Sequence, residues 1–427
     1  MKSSIQTREG RRNFALCALN GALIQFAQAL IDPSLVLTTW FVGRLTSSNL
    51  LLALVVPLGP AGWLLPQLFF SARIQRMQRK MPVYTISAAI RVVAWSSVAA
   101  IVWLVDDPVL LLIGFFTLYT VAQLASGPAG LAFFDIVAKT VPARRRGSLF
   151  AARLFVGGIL ALGASWIINR VLGHPALPPP HDIALLLTLF IVLLIPAFAL
   201  FIAVREPPGA TASESVMLKE QLRRAGQLLR GDPVYRRYTA AWLLLSLTGV
   251  VLPFYSVYAK DALGAEAGMA GVYAAASAGA KLLSNLVFGW ISDRKGNQLV
   301  MRLLAAGKAG TAFLALALVG FVSISKPQGA WLPYVALPLF LLDGGLFPAG
   351  ILSGSNFVIE LAPENERAMY IGLSNTLNGV VTLLSVLGGL LVDLLGFAGL
   401  FATGLVLCLA AYVLVAKLPE PRERAHD

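Results

Sequence analysis

Two residues of opposite charge interrupt long apolar runs: Lys281 in "AASAGAKLLSNLVF" and Asp343 in "LPLFLLDGGLFPAG". An ion in the middle of a bilayer is costly and tends to face a protein interior or a water-filled cavity. Pairing keeps both groups charged where isolation would not. Their chemistry fits proton transfer or the recognition of a polar solute. They are expected to lie within direct or water-bridged reach of each other beside a cavity. The competing reading is a staple in which the two charges only neutralise one another.

Further polar residues recur at helical spacing. Gly21, Gln25, Gln28 and Asp32 share one face, as do Tyr119, Gln123, Ser126 and Gly130. Ser277, Lys281 and Asn285 form a third stripe, Asp343, Phe347, Gly350 and Gly354 a fourth, and Asn375, Asn378 and Ser385 a fifth. Each stripe either lines a path or hydrogen-bonds across a packing interface, and small residues at this spacing also permit close helix contact. Tyr255 and Tyr258, near Pro253, are either cavity aromatics or part of an interfacial belt. Arg91 and Lys308 have no polar stripe and are expected to snorkel.

Other chemistries find no residues. His174, His181 and His426 lie outside the apolar runs and not at metal-ligand spacing, so no metal site is expected. Cys17 and Cys408 sit in apolar segments and read as small core residues. No phosphate-binding loop of the G-x-x-x-x-G-K-S/T type occurs, so ATP is not the expected drive, and no cofactor is implied.

The elements that must carry these residues are membrane helices. The chain has 427 residues, 57% hydrophobic and 13% charged, against roughly 25% charged in a soluble protein. Its net charge of +13 would suggest nucleic acid in a soluble protein. In a membrane protein it reports orientation, and no nucleic-acid partner is expected. Stretches long enough to span, about 20 residues each, lie near 13–40, 49–70, 82–104, 108–134, 148–172 and 183–204. They recur near 238–260, 268–291, 299–322, 331–359, 368–392 and 396–416, which makes twelve. The first reads as a retained helix, not a signal peptide, because no A-x-A-like site follows it. With both termini on one side, that side receives about 26 of the 34 Lys and Arg, which places both termini in the cytoplasm.

The chain divides into an N-terminal half (1–204), a linker (205–237) and a C-terminal half (238–427). In the linker, Thr211 and Glu214 suit a capping box, and Leu218, Leu222, Ala225 and Leu229 form one face of a surface helix or tether. The halves also match each other. A shift of 221 positions brings Pro142 onto Pro363, Arg146 onto Arg367 and Gly147 onto Ala368. The same shift sets Arg73 against Arg294, within the charged run "GWISDRKGNQ". Internal repeats of this kind build many secondary transporters.

On these features the chain resembles the major facilitator superfamily over its whole length. The most specific match is Gly289, Asp293, Arg294 and Gly296 to the family's G-x-x-x-D-R-x-G loop signature, although Asn297 and Gln298 replace its following basic pair. The resemblance implies an all-α polytopic membrane protein of two pseudo-symmetric six-helix bundles, a major facilitator fold. It implies that the stripes border a central path, so the path residues would be Gln25, Gln28, Asp32, Gln123, Lys281, Asn285, Asp343, Asn375 and Asn378. It also implies a gate built from Gly289, Asp293, Arg294 and Gly296 with Arg146 and Arg367. There Gly289 would allow close helix approach, Gly296 a tight turn, and Asp293 would cap the fifth span near Gly147 and Ser148. "LIDPSLVLTT" is similar to the L-D-x-T-x-V motif of proton-coupled multidrug antiporters at Asp32, Ser34 and Val36. The Arg expected in span four and the Gly-Pro pair expected in span five are absent.

The implied function is secondary transport of a small solute across the cytoplasmic (inner) membrane, with proton-coupled efflux as one form. The protein would be a monomer in the lipid bilayer, with protons entering through Asp32 or Asp343, and not an enzyme. The alternatives are a transport-like sensor or a polytopic membrane enzyme, and the latter lacks a cluster of acids, histidines or nucleophiles. A reporter fused after Asp427 or inserted near Gly209 is expected to read cytoplasmic, and one near Pro179 external. An external reading at Gly209 would overturn the division into two halves.

Overall fold

Acidic side chains and prolines set where the helices of this chain begin. In the computed structural model, which describes residues 2–209, 226–363 and 366–421, Pro108 and Pro233 each open a helix. Proline suits that position because its missing N–H would be unsatisfied there anyway. Asp107 accepts from the N–H groups of Val109 and Leu110, and Asp232 from those of Val234 and Tyr235. Asp32 does the same for Ser34 and Leu35, opening a π-helical stretch, Pro33–Val42, at the point where Pro33 ends the first helix.

The helices are α1 (Lys2–Leu30), α2 (Asn49–Gln75), α3 (Met81–Leu104), α4 (Pro108–Thr140), α5 (Ala143–Leu172) and α6 (His181–Ile202). After them come α7 (Pro233–Leu247), α8 (Leu252–Leu263), α9 (Met269–Lys295), α10 (Asn297–Ser325), α11 (Leu337–Leu361), α12 (Arg367–Leu383) and α13 (Leu387–Ala416). No strand occurs among the described residues. The capping pair Thr211 and Glu214 and the positions Leu218, Leu222 and Ala225 lie outside the described residues. Residues 226–231 are helical.

Among the described residues, 10 helical segments are long and apolar enough to cross a membrane. The sequence count of twelve differs from this in two places. The segment Met369–Ala416 is continuous by that measure, although the backbone leaves helical geometry at Gly396 (φ 66°, ψ −176°). The segment α9 is not among the ten; it carries Lys281, Asn285 and Asp293. Large apolar side chains on the helices stand exposed, Ile86, Val93, Leu286 and Leu394 each by more than 60%. In a chain this apolar they face lipid, where only internally hydrogen-bonded helices are stable. The protein is therefore a multi-pass membrane protein.

The chain forms two compact units. The first comprises Met1–Thr46, Leu58–Ser215 and Ala267–Ala275; the second comprises Ser47–Pro57, Val216–Glu266 and Ala276–Asp427. In the first, α1 packs on α5 and α6, and α3 on α4 and α6. Its core is aromatic: Tyr119 stacks on Phe115 at 5.2 Å between centroids and meets Trp95 edge-on at 5.4 Å. Arg44 pairs with the buried Asp182 at 2.6 Å, tying the end of the first span to the start of α6. In the second unit, α10 packs on α11 and α13, and α7 on α12 and α13. The rings of Tyr238 and Phe357 stack at 4.8 Å. Both thiols, Cys17 and Cys408, are free and buried.

Each unit contains the same carboxylate device. Glu206, followed by Pro207, receives the backbone N–H of Lys80 and of Met81 at the start of α3. It also accepts from Lys139 at 3.0 Å, and Lys139 and Lys80 both pair with Asp135. Glu420, followed by Pro421, receives the N–H of Asn297 and of Gln298 at the start of α10. An anion at a helix N-terminus satisfies free N–H groups and complements the helix dipole. Glu206→Ala is expected to cost about 2 kcal/mol, read as a lowered unfolding temperature in detergent, and Glu420→Ala a similar amount. Glu9→Ala, which breaks only the exposed pair with Arg205, is expected to stay within about 0.5 kcal/mol. Equal shifts for all three would remove the capping role.

Candidate functional site

Pro253 has no N–H to donate to the turn before it, and residues Thr248–Val251 tighten into a 3-10 turn between α7 and α8. The turn and the start of α8 face a small cavity of the second unit. Thr248 and Tyr255 line it together with Lys308 and Thr311 of α10, Asp343 of α11 and Cys408 of α13. The volume is about 20 Å³, enough for a water molecule. The Cys408 thiol bonds with Thr248, and Lys308 acts on it electrostatically. Asp343 acts in the same way on Tyr255, whose side chain is buried. The cavity thus gathers a carboxyl, an ammonium, a phenol, a thiol and two hydroxyls, enough to hold a water and exchange a proton with it.

The sequence reading put Asp343 on the polar path and expected Lys308 to snorkel. Lys308 lines this cavity instead of snorkelling, and the signal for it was present: Thr311 follows at i+3 on the same helix face. Lys281 approaches α11 from α9. Its ammonium lies 3.6 Å from the centroid of the Phe347 ring, one turn beyond Asp343. The two helices meet closely there, because a Cβ on Gly344 would strike the backbone of Ser277; only glycine fits. Oδ1 of Asn378 on α12, and Oγ of Ser385 in the 3-10 turn Leu384–Val386 that follows it, are buried without a hydrogen-bond partner. Asn375 and Asn285 are half-buried. Tyr258 is buried, with its ring against those of Phe397 and Phe401.

The stripes of the first unit are largely packing surfaces. The space beside Gly21 is filled by Arg153, and Gln25 packs against Gly157, so this face of α1 seats α5. Gln28 is exposed. Asp32 accepts from Ser34 N–H and Leu35 N–H, and from the Ser34 hydroxyl at 2.6 Å, so its carboxylate is engaged in capping. On α4, Gln123 packs on Gly62 and bonds with Tyr119, while Gly130 packs on Trp63.

Arg153, on α5, donates to the Cys17 carbonyl and to Asn20 Oδ1 at 2.6 and 3.0 Å and lies over Phe133. Arg91, expected to snorkel, lies over Phe198 at 5.1 Å, and its Nε is buried without a partner. A central arginine costs about 2.5–3.5 kcal/mol on insertion scales. A ring contact returns about 0.5–2 kcal/mol, less than that cost.

The loop-signature residues behave unevenly. Gly296 adopts φ 89°, and a Cβ there would strike the Glu420 carboxylate, so the turn and the cap both require glycine. Gly289 has open space where a Cβ would be, so the close approach expected of it is not made. Asp293 is exposed, and Arg294 lies over Trp290 at 5.6 Å. Arg146 donates to the carbonyls of Ala138 and Val141 at the end of α4, a favourable place for a cation. Arg367 opens α12, and its side chain lies outside the described residues. Among the described residues no group of three or more His, Cys, Asp or Glu is placed to hold a metal ion.

Comparison with known proteins adds the following. A profile of the Major Facilitator Superfamily matches residues 17–385 and 240–427. An uncharacterized protein of Mycobacterium tuberculosis and one of Mycobacterium bovis are each 28% identical over 304 residues, or 69% of this chain and 56% of theirs. The chain thus spans little more than half the length of those relatives. Among solved structures, a D-xylose–proton symporter superposes with a TM-score of 0.73 at 16% identity, covering 96% of this chain and 98% of the other. A nucleoside transporter gives 0.70 at 14% identity, covering 95% and 98%. A POT family transporter crystallised with a thioalcohol-conjugated peptide gives 0.70 at 12% identity, covering 95% of each chain. At these identities the likeness concerns the fold.

Proposed function

The chain belongs to the Major Facilitator Superfamily, and on that premise we propose that it moves a small solute across the cytoplasmic membrane by alternating access of two halves. The family is one of secondary transporters and not of enzymes. In this reading the chain crosses twelve times, both termini are cytoplasmic, the working unit is a monomer, and residues 1–204 and 238–427 form the halves joined by 205–237. The observation that supports ion coupling is the cavity shared by Asp343 and Lys308. A carboxyl group that meets water and a cation inside the membrane can change its protonation as the protein changes state. Asp343 is then the coupling acid, and Asp32 is a helix cap. Gln28, Lys281, Asn285, Asn375 and Asn378 remain the proposed polar path, while Gln25 and Gln123 serve helix packing. The solved relatives, a sugar symporter and a nucleoside transporter among them, make a polar organic solute the first class to assay.

The test is a compound panel in proteoliposomes with and without a pH gradient. A compound that wild-type protein accumulates against its gradient should be equilibrated but not concentrated by Asp343→Asn. Lys308→Met should reduce accumulation about tenfold, and the double variant should be more stable than Lys308→Met alone by about 1–3 kcal/mol, because no unbalanced carboxylate remains. Normal accumulation by Asp343→Asn would refute the assignment.

Asp293, Arg294 and Gly296, with Arg146 and Arg367, are proposed as the cytoplasmic gate, Asp293 acting on the N-terminus of α5. Asp293→Asn should then favour inward-open states by about 1 kcal/mol, seen as faster labelling of cavity cysteines from the cytoplasmic side. Unchanged labelling with full transport would reduce Asp293 to a solvated turn residue.

A further inference from the structure

The last helix of the second unit ends among three cations, Arg237, Arg302 and Lys417. α13 stops at Ala416, and Lys417 follows at its C-cap. Arg302 of α10 donates through Nη2 to the Ala416 carbonyl at 2.7 Å, and Arg237 of α7 donates through Nη1 to the Lys417 carbonyl at 2.8 Å. The two acceptors are consecutive, so both guanidiniums gather at one helix end. A cation at a helix C-terminus is favourable, but that end carries only about half an elementary charge, which balances a fraction of three cations. Among the described residues, no carboxylate forms an ion pair with any of them. Asp232 caps α7, Glu420 receives the N–H groups of Asn297 and Gln298, and Glu360 accepts from the Asn297 side chain.

The corresponding end in the first unit is built differently. There Arg12 donates to the Ala203 carbonyl after α6, and Arg205 pairs with Glu9. One turn after the capped Met81, α3 carries Thr85, whereas α10 carries Arg302 one turn after the capped Gln298. The end of α13 is also open. Arg237, Ala416 and Lys417 are exposed and Arg302 is half-buried. The Nε of Arg302 is covered and has no partner, so a ligand meets the terminal nitrogens of its fork. Ala416 closes a segment long and apolar enough to cross a membrane, which sets the three cations at the level of lipid headgroups. Val406, Leu409 and Val413 of α13 are exposed, and their spacing puts them on one face that runs up to Ala416.

We propose that this end of α13 binds the headgroup of an anionic phospholipid. A guanidinium carries five donors in a planar fork. Arg237 and Arg302 each use one of them on α13, and the others suit the oxygens of a phosphate. Lys417 adds a third charge without the fork. The acyl chains lie along Val413, Leu409 and Val406. The lipid supplies the negative charge that the helix end lacks, and clustered Lys and Arg next to a membrane helix attract such headgroups. A free phosphate would match the cations but leave the apolar face uncovered, so the occupant is a lipid.

The test uses purified full-length protein in detergent, stripped of lipid and then given phosphatidylglycerol or phosphatidylcholine with the same acyl chains. Retained lipid is counted by native mass spectrometry. Wild-type protein should retain phosphatidylglycerol about tenfold more than Arg237→Gln/Arg302→Gln does, with no such difference for phosphatidylcholine. Arg144→Gln/Arg145→Gln, which removes the same charge at the start of α5, should retain phosphatidylglycerol as wild type does. The Lys417 side chain makes no hydrogen bond to α13 among the described residues. Lys417→Gln should therefore keep the unfolding temperature and lower retention about fivefold, the scale for one basic residue at an anionic surface. That variant decides if Arg237→Gln/Arg302→Gln does not fold. Retention of phosphatidylglycerol by these variants at the wild-type level would overturn the proposal. An equal loss in Arg144→Gln/Arg145→Gln would overturn it too, because general charge and not this site would then hold the lipid. Stabilisation by inorganic phosphate alone, with no preference for phosphatidylglycerol, would make the ligand a free anion and refute the lipid.

Discussion

Inside a bilayer no water is at hand to satisfy a backbone N–H or C=O, so a helix end that lies out of reach of water must be completed by the chain itself. Much of this protein's charge is arranged around that requirement. Its carboxylates go to helix N-termini: Asp32, Asp107, Asp232, Glu206 and Glu420 each receive two backbone N–H groups. Cations go to the other end, as Arg146 does at the last carbonyls of α4. The chain has 21 acidic residues against 34 Lys and Arg, so acids are scarce for balancing cations within the helices, and Glu206 serves both purposes by capping α3 and pairing with Lys139.

The two units resolve that shortage differently. In the second, Asp343 and Lys308 share a cavity with hydroxyls and a thiol, so a membrane-embedded cation has an acid close by and room for water. In the first, the partners of Arg91 and Arg153 among the described residues are aromatic faces, a carbonyl and an amide. Polar chemistry inside a membrane is costly unless it is matched, and these two places are where this chain concentrates it. The contrast assigns them different work: a group that can gain and lose a proton in one unit, and a fixed positive charge in the other.

The Glu-Pro pairs at 206 and 420 show the internal repeat in physical terms. Each follows the last helix of its unit and closes the N-terminus of another helix of that unit, α3 or α10. Gly296 belongs to this device, since its positive φ turns the chain and its missing side chain admits Glu420. The loop signature that marks the family is therefore tied, at this glycine, to a structural requirement within one unit, whatever Asp293 and Arg294 do beyond it.

The sequence by itself determined the class of the molecule. Apolar runs, scarce charge and positive residues clustered between the runs follow from transfer energies that act residue by residue, so they are legible without coordinates. Twofold repetition and the glycine turn at 296 were legible for the same local reason. Helical spacing also found the polar stripes, but spacing fixes only which residues share a face, not what the face meets. The Gly21–Gln25 face meets α5 and the Gln123 face meets α2, so both became packing surfaces. Lys308, marked on its own helix only by Thr311, and Arg153 acquired their places from Asp343, Cys408, Cys17 and Asn20, which are distant in sequence. Which charge meets which is set by helix-on-helix packing, a non-local property, and only the tertiary structure decided it.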